Sequence, residues 1–252
     1  MKTFDYVVAL NQLAVGKETK LNSDIAYLRI PKWVRGADFL QAFLPYLKIV
    51  GDSREQDNWI ERACKWYGIA FEKAKKDKTA QTENLKEGDY TFKVVFGDKQ
   101  YDYTGKVAYE RKGSVSELYG NCTGNKANGK SDRERIEREF NRFNEKEYQK
   151  VVMLLEFGEK LTDLIDMEFS YYKDGKKQTK CTYYTIYSAL MSWKQPNNKG
   201  FEILQSGDHK KLFWLFLQDC FYFFRNEIRK ECIAKKLIEN IKEEQKINVK
   251  RN

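Results

Sequence analysis

Hydrophobic and polar positions alternate along residues 88–112, on both sides of a Gly-Asp pair. Apolar side chains recur at every second residue from Tyr90 to Phe96, and again between Tyr101 and Tyr109. Period-two alternation on both sides of a turn is typical of a β-hairpin with one apolar face. The pattern therefore predicts a hairpin with a loop at 97–100, one aromatic side and one polar side.

The polar side of this hairpin carries acidic and basic residues. With that loop, Asp89 lies across from Ala108, and Glu110 becomes its diagonal neighbour on the same face. Lys112 follows Glu110 by two residues, so a continuing strand directs it to that face as well. Two carboxylates and an ammonium group on one face of a sheet favour a metal-dependent phosphodiesterase site. An ordinary solvated sheet face, on which Glu and Lys are common, is the alternative that this hairpin leaves open.

Apolar segments before the hairpin predict a strand, a helix and a second strand. The run at 46–50 indicates a buried strand that ends in GDSRE at 51–55, which places charged residues at its carboxyl end. Open α/β sheets tend to place their sites at such ends. Asp57 or Asn58 can cap the next helix, which covers 59–67 and stops at Gly68. A second strand is indicated at 69–74.

The chain after the hairpin continues the alternation of helices and strands. The pattern predicts two helices, a buried strand, a further helix and a further strand, at 113–121, 131–148, 151–157, 182–193 and 201–204. Residues 208–225 form a strongly apolar helix, either a core helix or a dimer interface, with Phe213, Trp214, Phe216, Tyr222 and Phe223 as the candidate interface. Together these elements predict an α/β fold in which helices flank a mixed central sheet.

The same patterns divide the chain into three parts. Residues 1–45 are predicted to be an N-terminal extension of the sheet or a small appendage, without recognisable chemistry. Residues 46–226 hold the predicted sheet and its helices. Residues 227–252 are predicted to form a charged helical tail.

Charge and cysteine content narrow the classes of partner and compartment. The 252-residue chain has a formal net charge of +9, which favours polyanionic partners such as nucleic acid. Its five scattered cysteines contain no CxxC pair, as expected of reduced thiols in the cytoplasm. No secretory signal and no apolar stretch of about 20 residues is recognisable, so we expect a cytoplasmic protein without a membrane segment.

The histidine content excludes several catalytic schemes. His209 is the single histidine of the chain. Zinc sites rich in histidine, HExxH peptidases and two-histidine acid–base catalysis are therefore unavailable. Any catalysis must depend on carboxylates, lysine or a metal ion.

A basic loop follows the hairpin and the short helix after it. It reads CTGNKANGKSD at 122–132, and Arg133 begins the next helix. Lys126, Lys130 and Arg133 are candidates for contact with a nucleic-acid backbone. A plain surface loop is the alternative that the sequence leaves open.

Several short motifs occur in an order that resembles the XPF-type nuclease family. They are GDSRE at 51–55, GDY at 88–90, ERK at 110–112, SEL at 116–118 and the run VVMLLEF at 151–157. The nuclease motif of that family is GD, a variable stretch, ERK and then an acidic residue. The resemblance covers about 48–226 and implies a restriction-endonuclease-like nuclease domain at 46–226.

The resemblance implies roles for individual residues. Asp89 and Glu110 would hold Mg²⁺ or Mn²⁺, with Asp52 completing the acidic cluster, and Lys112 would orient or activate the attacking water. Three further residues would support the acidic cluster or contact phosphate, namely Arg54, Glu55 and Arg111. The resemblance also implies association through the nuclease domain as a homo- or heterodimer, and no nucleotide cofactor is expected.

The chain departs from the family at two points. The acidic residue after ERK is Glu117, five positions beyond Lys112, where the family has an aspartate four positions beyond and this chain has Ser116. Glu117 is therefore a candidate supporting residue only. No paired helix–hairpin–helix module follows, which leaves the mode of DNA binding open.

The function predicted from the sequence is a divalent-metal-dependent DNA endonuclease that hydrolyses phosphodiester bonds. Branched or flapped DNA is a candidate substrate, and DNA repair or recombination a candidate process. The main alternative is a catalytically silent nuclease-fold protein that binds DNA or serves as a dimer partner. A further alternative is an unrelated basic α/β binding protein.

Overall fold

The structure is a computed structural model, and the part of the chain that it describes is discontinuous. It describes residues 43–53, 55, 58–74, 85, 87–96, 99–123, 126–127, 130–145, 148–165, 168–169, 172–173, 176–177, 181–182, 184–193, 201–227 and 230. Nearly all of the predicted N-terminal part and of the predicted tail lies outside these residues. The proposed limits at 45 and 226 therefore stay predictions.

A mixed sheet of seven strands forms the centre of the described chain. Its strands are β1 (Leu47–Asp52), β2 (Ala70–Ala74), β3 (Tyr90–Phe96), β4 (Lys99–Asp102), β5 (Val107–Lys112), β8 (Lys150–Leu155) and β13 (Glu202–Gln205). They lie in the order β13-β8-β5-β3-β1-β2, with β4 also paired to β3. Strand β3 runs antiparallel to its neighbours, while the β1–β2, β5–β8 and β8–β13 pairs are parallel. The carboxyl ends of β1, β5, β8 and β13 therefore share one edge with the start of β3.

Helices cover both faces of this sheet. They are α1 (Trp59–Tyr67), α2 (Val115–Thr123), α3 (Asp132–Glu145), α4 (Tyr184–Trp193) and α5 (209–227). The predicted mixed α/β fold with flanking helices is confirmed. Within the described residues, no helix combines the length and apolar character needed to cross a bilayer.

Short elements complete the fold. Two-stranded ladders pair β6 (Lys126–Ala127) with β7 (Lys130–Ser131), β9 (Glu168–Phe169) with β12 (Cys181–Thr182), and β10 (Tyr172–Lys173) with β11 (Lys176–Lys177). Single 3-10 turns occupy Leu44–Tyr46 and Asp163–Ile165.

The aromatic face of the sheet packs against α1 and α5. Tyr90, Phe92 and Tyr109 are fully buried there, together with Phe213 and Phe216 of α5. Phe213 and Phe216 make α5 a core helix, because both are buried against the sheet. Tyr222 of the same helix is 41% exposed, so association through the predicted interface stays a prediction.

The opposite face of the sheet packs against α2, α3 and α4. Ala108 of β5 and Met153 of β8 contribute to a second apolar core with Leu118, Phe143 and Ile186. Alternation along β5 and β8 thus supplies one residue set to each core, as expected of strands buried on both sides.

The hairpin differs from its prediction in register. Tyr90 pairs with Tyr109, whereas a loop at 97–100 would pair Tyr90 with Val107. The reason is a turn between β4 and β5, where the amides of Lys106 and Val107 donate to the carbonyl of Tyr103 at 2.9 and 3.0 Å. The difference is two residues, so each side chain keeps its predicted face.

Candidate active site

Three neighbouring strands bring acidic residues together at the shared edge of the sheet. The amide of Asp52, at the end of β1, donates to the carbonyl of Asp89 at 2.8 Å. The amide of Asp89, just before β3, donates to the carbonyl of Tyr109 in β5 at 2.8 Å. Strand alternation directs Asp52, Asp89 and Glu110 away from the aromatic core, toward the face that carries α2.

Gly88 brings the chain into this position. Its φ of 77° lies in the left-handed region, which favours glycine. A Cβ at this position would lie 3.0 Å from the Cβ of Ala108, so a side chain would crowd β5. The GD pair of the motif therefore has a geometric reason: the glycine permits the approach that places Asp89 beside β5.

Glu110 and Lys112 form a buried ion pair on this face. Lys112 Nζ donates to Glu110 Oε1 at 2.6 Å, and the two residues are 4% and 6% exposed. Glu110 Oε2 is buried without a hydrogen-bond partner. A solvated sheet face is therefore excluded for these residues, because both are buried. The buried carboxylate oxygen without a partner also carries a desolvation cost.

Asp89 lies in the field of this pair. The backbone amide of Arg111 donates to Asp89 Oδ2 at 2.8 Å. Burial and then the charge of Glu110 raise the pKa of Asp89 well above its ordinary value, while Lys112 acts in the opposite direction. The ionised form of Asp89 is thus disfavoured by burial and by a neighbouring negative charge unless a cation balances that charge.

Lys112 is held as an ammonium ion. Burial alone lowers the pKa of Lys112, but the charges of Glu110 and Asp89 outweigh burial, and the pKa is raised. A lysine in this state is a proton donor and a positive charge, and it is a poor general base at neutral pH.

Glu117 contacts the chain just after β5. Its Oε2 accepts from the amide of Gly113 at 2.8 Å, and its own amide donates to Ser114 Oγ at 3.1 Å. This arrangement resembles a capping box at the start of α2. Glu117 Oε1 lies 3.9 Å from Lys112 Nζ, so the residue also contributes charge near the pair.

A second polar cluster lies on the other face of β5. Arg111 donates to both carboxylate oxygens of Glu156 and, through one guanidinium nitrogen, to Glu55 Oε2 at 3.2 Å. Trp59 Nε1 also donates to Glu156. His209 Nε2 lies 3.4 Å from Glu156 Oε2, and its ring stacks on that of Trp59.

Glu156 is the central residue that the sequence analysis did not select. Its side chain is 4% exposed and is contacted from β5, α1 and α5. The available signal was an acidic residue directly after the apolar run of β8. Pattern alone gave no reason to prefer it over other acidic residues, since its partners are distant in sequence.

The remaining predicted residues lie outside the described structure in whole or in part. Arg54 is not among the described residues. The backbone at Lys126, Lys130 and Arg133 belongs to β6, β7 and α3, but their side chains fall outside what the structure describes. Their assignment to nucleic-acid contact stays a prediction.

The donor set of this face is compatible with a small divalent cation. Mg²⁺ takes oxygen ligands, commonly one or two carboxylates, and keeps several waters. Asp89 and Glu110 supply two carboxylates, one with an unpartnered buried oxygen. In the described part of the chain, no group of three or more His, Cys, Asp or Glu residues is arranged to hold a metal ion. The fit of a divalent cation therefore depends on Asp89 and Glu110. Asp52 is connected to Asp89 by a backbone hydrogen bond.

Comparisons with known proteins give little beyond overall shape. No model of a known protein family matches the chain, and no curated protein matches it. Among solved structures, the chain is similar to XPF from Aeropyrum pernix, with 15% sequence identity and a TM-score of 0.40. That similarity covers 68% of this chain and 64% of the length of that one. A likeness of this degree says nothing about the chemistry of the site.

Proposed function

We propose that this protein is a divalent-metal-dependent endodeoxyribonuclease. The observation that carries the proposal is the buried Glu110–Lys112 pair beside Asp89, with one oxygen of Glu110 left without a partner. Burying two carboxylates and an ammonium group costs desolvation free energy, and an apolar side chain of similar size would avoid that cost. A chemical role therefore explains these residues better than a contribution to stability.

The fold proposed for this chemistry is restriction-endonuclease-like, of the XPF type. Support comes from the positions of the motifs. GD ends at Asp89, ERK closes β5, and the VVMLL segment lies in the neighbouring strand β8, directly followed by Glu156. The residues of the motif thus lie on neighbouring strands, at one edge of the sheet.

Asp89 and Glu110 would hold Mg²⁺ or Mn²⁺, and Asp52, whose amide donates to the carbonyl of Asp89, is the further candidate ligand. When bound, such an ion polarises a phosphoryl oxygen and lowers the pKa of a coordinated water. Lys112, kept as an ammonium by its neighbours, orients the substrate or the water and stabilises negative charge that grows on the phosphoryl group. Its raised pKa argues against proton abstraction as its role.

Arg111 and Glu55 act as positioning residues in this proposal. The Arg111 guanidinium is engaged by Glu156 and Glu55, so it is committed to carboxylates rather than to phosphate. Its backbone amide meanwhile holds Asp89 Oδ2, which links the second polar cluster to the site. The net charge of +9 supports DNA as the partner.

The test is a cleavage panel of flap, fork and linear duplex DNA with Mg²⁺, with Mn²⁺ and with chelator. Wild-type protein is expected to nick at least one substrate only when metal is present. Asp89→Asn and Lys112→Met are expected to lower the cleavage rate by about 10²–10³-fold or more while retaining DNA binding. Glu145→Gln, at an exposed position near the end of α3, is the matched control and should cut like wild type.

A catalytically silent DNA-binding or dimer-partner subunit is the second candidate. One observation favours it: Lys112 Nζ donates to Glu110 Oε1 at 2.6 Å, so a cation of the protein itself already balances part of the negative charge. Failure of metal to support nicking of any substrate, with binding intact, would favour this candidate over the enzyme. Normal cutting by either site variant would instead place the active site elsewhere.

A further inference from the structure

A groove lies between α1 and the start of α5. Its volume is about 380 Å³. Aromatic, small and basic side chains line it, namely Trp59, Arg62, Ala63, Trp66, Tyr67, His209, Lys210 and Phe213. The α1 residues among them fall at helical spacings of three and four, so they form one continuous stripe of the helix surface.

Flat aromatic rings are presented to solvent in this groove. Trp66 is 84% exposed, the largest exposure among the exposed large apolar side chains of the described chain. The His209 ring stacks on Trp59 at a centroid distance of 4.7 Å and an interplanar angle of 5°, with 53% of the His209 side chain exposed. An exposed indole and a partly exposed imidazole in one groove offer flat faces on which further rings can stack.

Positive charge surrounds these rings. Arg62 and Lys210 line the groove, and Lys65 is exposed on α1 beside them. Nearby acids are partly compensated, since Glu61 pairs with Lys73 at 3.0 Å and Asp208 lies 4.0 Å from Lys211. The groove is therefore a cationic surface with aromatic platforms.

The groove is connected to the candidate active site through one carboxylate. Trp59 donates to Glu156, and Glu156 accepts from Arg111, which stands between Glu110 and Lys112 on β5. The groove and the candidate active site thus share one hydrogen-bonded network, which passes through Glu156 and Arg111.

We propose that this groove binds a single-stranded segment of nucleic acid. Bases stack on Trp66 and on the exposed face of His209, while Lys210 contacts a phosphate. Single strands expose base faces that a duplex keeps stacked, and aromatic platforms in a cationic groove recognise them without sequence preference. The inference deepens the proposed function and rests on it, because it names single-stranded nucleic acid as the form of the substrate that this groove binds.

Binding is measured without cleavage, by fluorescence anisotropy of a labelled oligothymidylate of about 15 nucleotides in chelator. Trp66→Ala is expected to weaken binding roughly 5- to 150-fold, the range for loss of one base–aromatic stack. Trp66→Phe should restore much of the affinity. Tyr222→Ala is the matched control, because Tyr222 is also an exposed aromatic (41%) but lies far along α5.

The phosphate contact is tested by the salt dependence of the same binding. Lys210→Gln is expected to reduce the slope of log affinity against log salt by about 0.7, the value for one contact on a single strand. Lys160→Gln, an exposed lysine outside the groove, should leave the slope unchanged.

Three outcomes would overturn the inference. They are unchanged single-strand binding by Trp66→Ala, an equal loss of single-strand and duplex binding in that variant, and displacement of the oligonucleotide by polyglutamate at equal charge concentration. The last would indicate an acidic protein partner. Nicking in the cleavage panel with no effect of Trp66→Ala would reject the groove alone, whereas groove binding without nicking would reject the nuclease alone.

Discussion

At the scale of single residues, Asp89 has the most consequential environment. Burial and the nearby charge of Glu110 raise its pKa above the ordinary value of 3.8, and the amide of Arg111 still holds its carboxylate. Between that ordinary value and the raised pKa, the folded protein retains a proton that the unfolded chain has lost. The free energy of unfolding therefore falls as pH rises through this window.

Asp89→Asn is expected to remove this pH dependence, because an amide does not titrate. The variant should be more stable than wild type at neutral pH without divalent metal, and the difference should shrink on acidification toward pH 4. Urea unfolding at a series of pH values measures it. Asp163→Asn, at an exposed acid, is the control and should parallel wild type. Parallel curves for Asp89→Asn as well would contradict the assigned environment.

At the scale of elements, α5 is the part of the core on which the aromatic face depends. The rings of Phe216 and Tyr109 pack edge to face with their centroids 4.6 Å apart, and Phe216 is fully buried. Tyr109 Oη also donates to Asp219 of the same helix at 2.8 Å. The helix is thus fixed to β5, the strand that carries Glu110 and Lys112.

Phe216→Ala is expected to destabilise the protein by about 3–5 kcal/mol, since it leaves a cavity against the sheet. Leu215→Ala, one position along and 37% exposed, should cost no more than about 0.5 kcal/mol. Denaturant unfolding of both variants gives the comparison. Equal losses would mean that α5 presents a different face to the sheet.

At the scale of the whole molecule, Glu156 joins elements from both ends of the described chain. It receives hydrogen bonds from β5 and α1 and lies beside His209 of α5. Removing it leaves Glu55 as the remaining carboxylate partner of the Arg111 guanidinium among the described residues, and that guanidinium side chain is 17% exposed.

Glu156→Ala is therefore expected to cost about 3–5 kcal/mol of unfolding free energy, the range for breaking a buried ion pair. Arg111→Met in that background should recover part of the loss, because the unpaired charge is gone. Glu159→Ala, an exposed glutamate in the same loop, is the matched control for each measurement. An additive double variant would show that the pair is not coupled.

Much of the fold followed from local pattern. Period-two alternation fixed the faces of the hairpin strands, and the apolar run of VVMLLEF indicated a strand buried on both sides. Asn58 and Gly68 fixed the ends of α1, since the first caps the Glu61 amide at 2.9 Å and the second has a left-handed φ of 68°. These features depend on residues close in sequence.

Other features were decided by tertiary structure. The turn at 103–106 set the register of β5, and packing of α5 beneath the sheet showed it to be a core helix. The second polar cluster also emerged only in space, because Arg111 and Glu156 are 45 residues apart. Sequence pattern by itself determined which side chains share a face, since that depends on backbone period. Which of them meet, and whether they meet away from water, depends on strand order and helix packing.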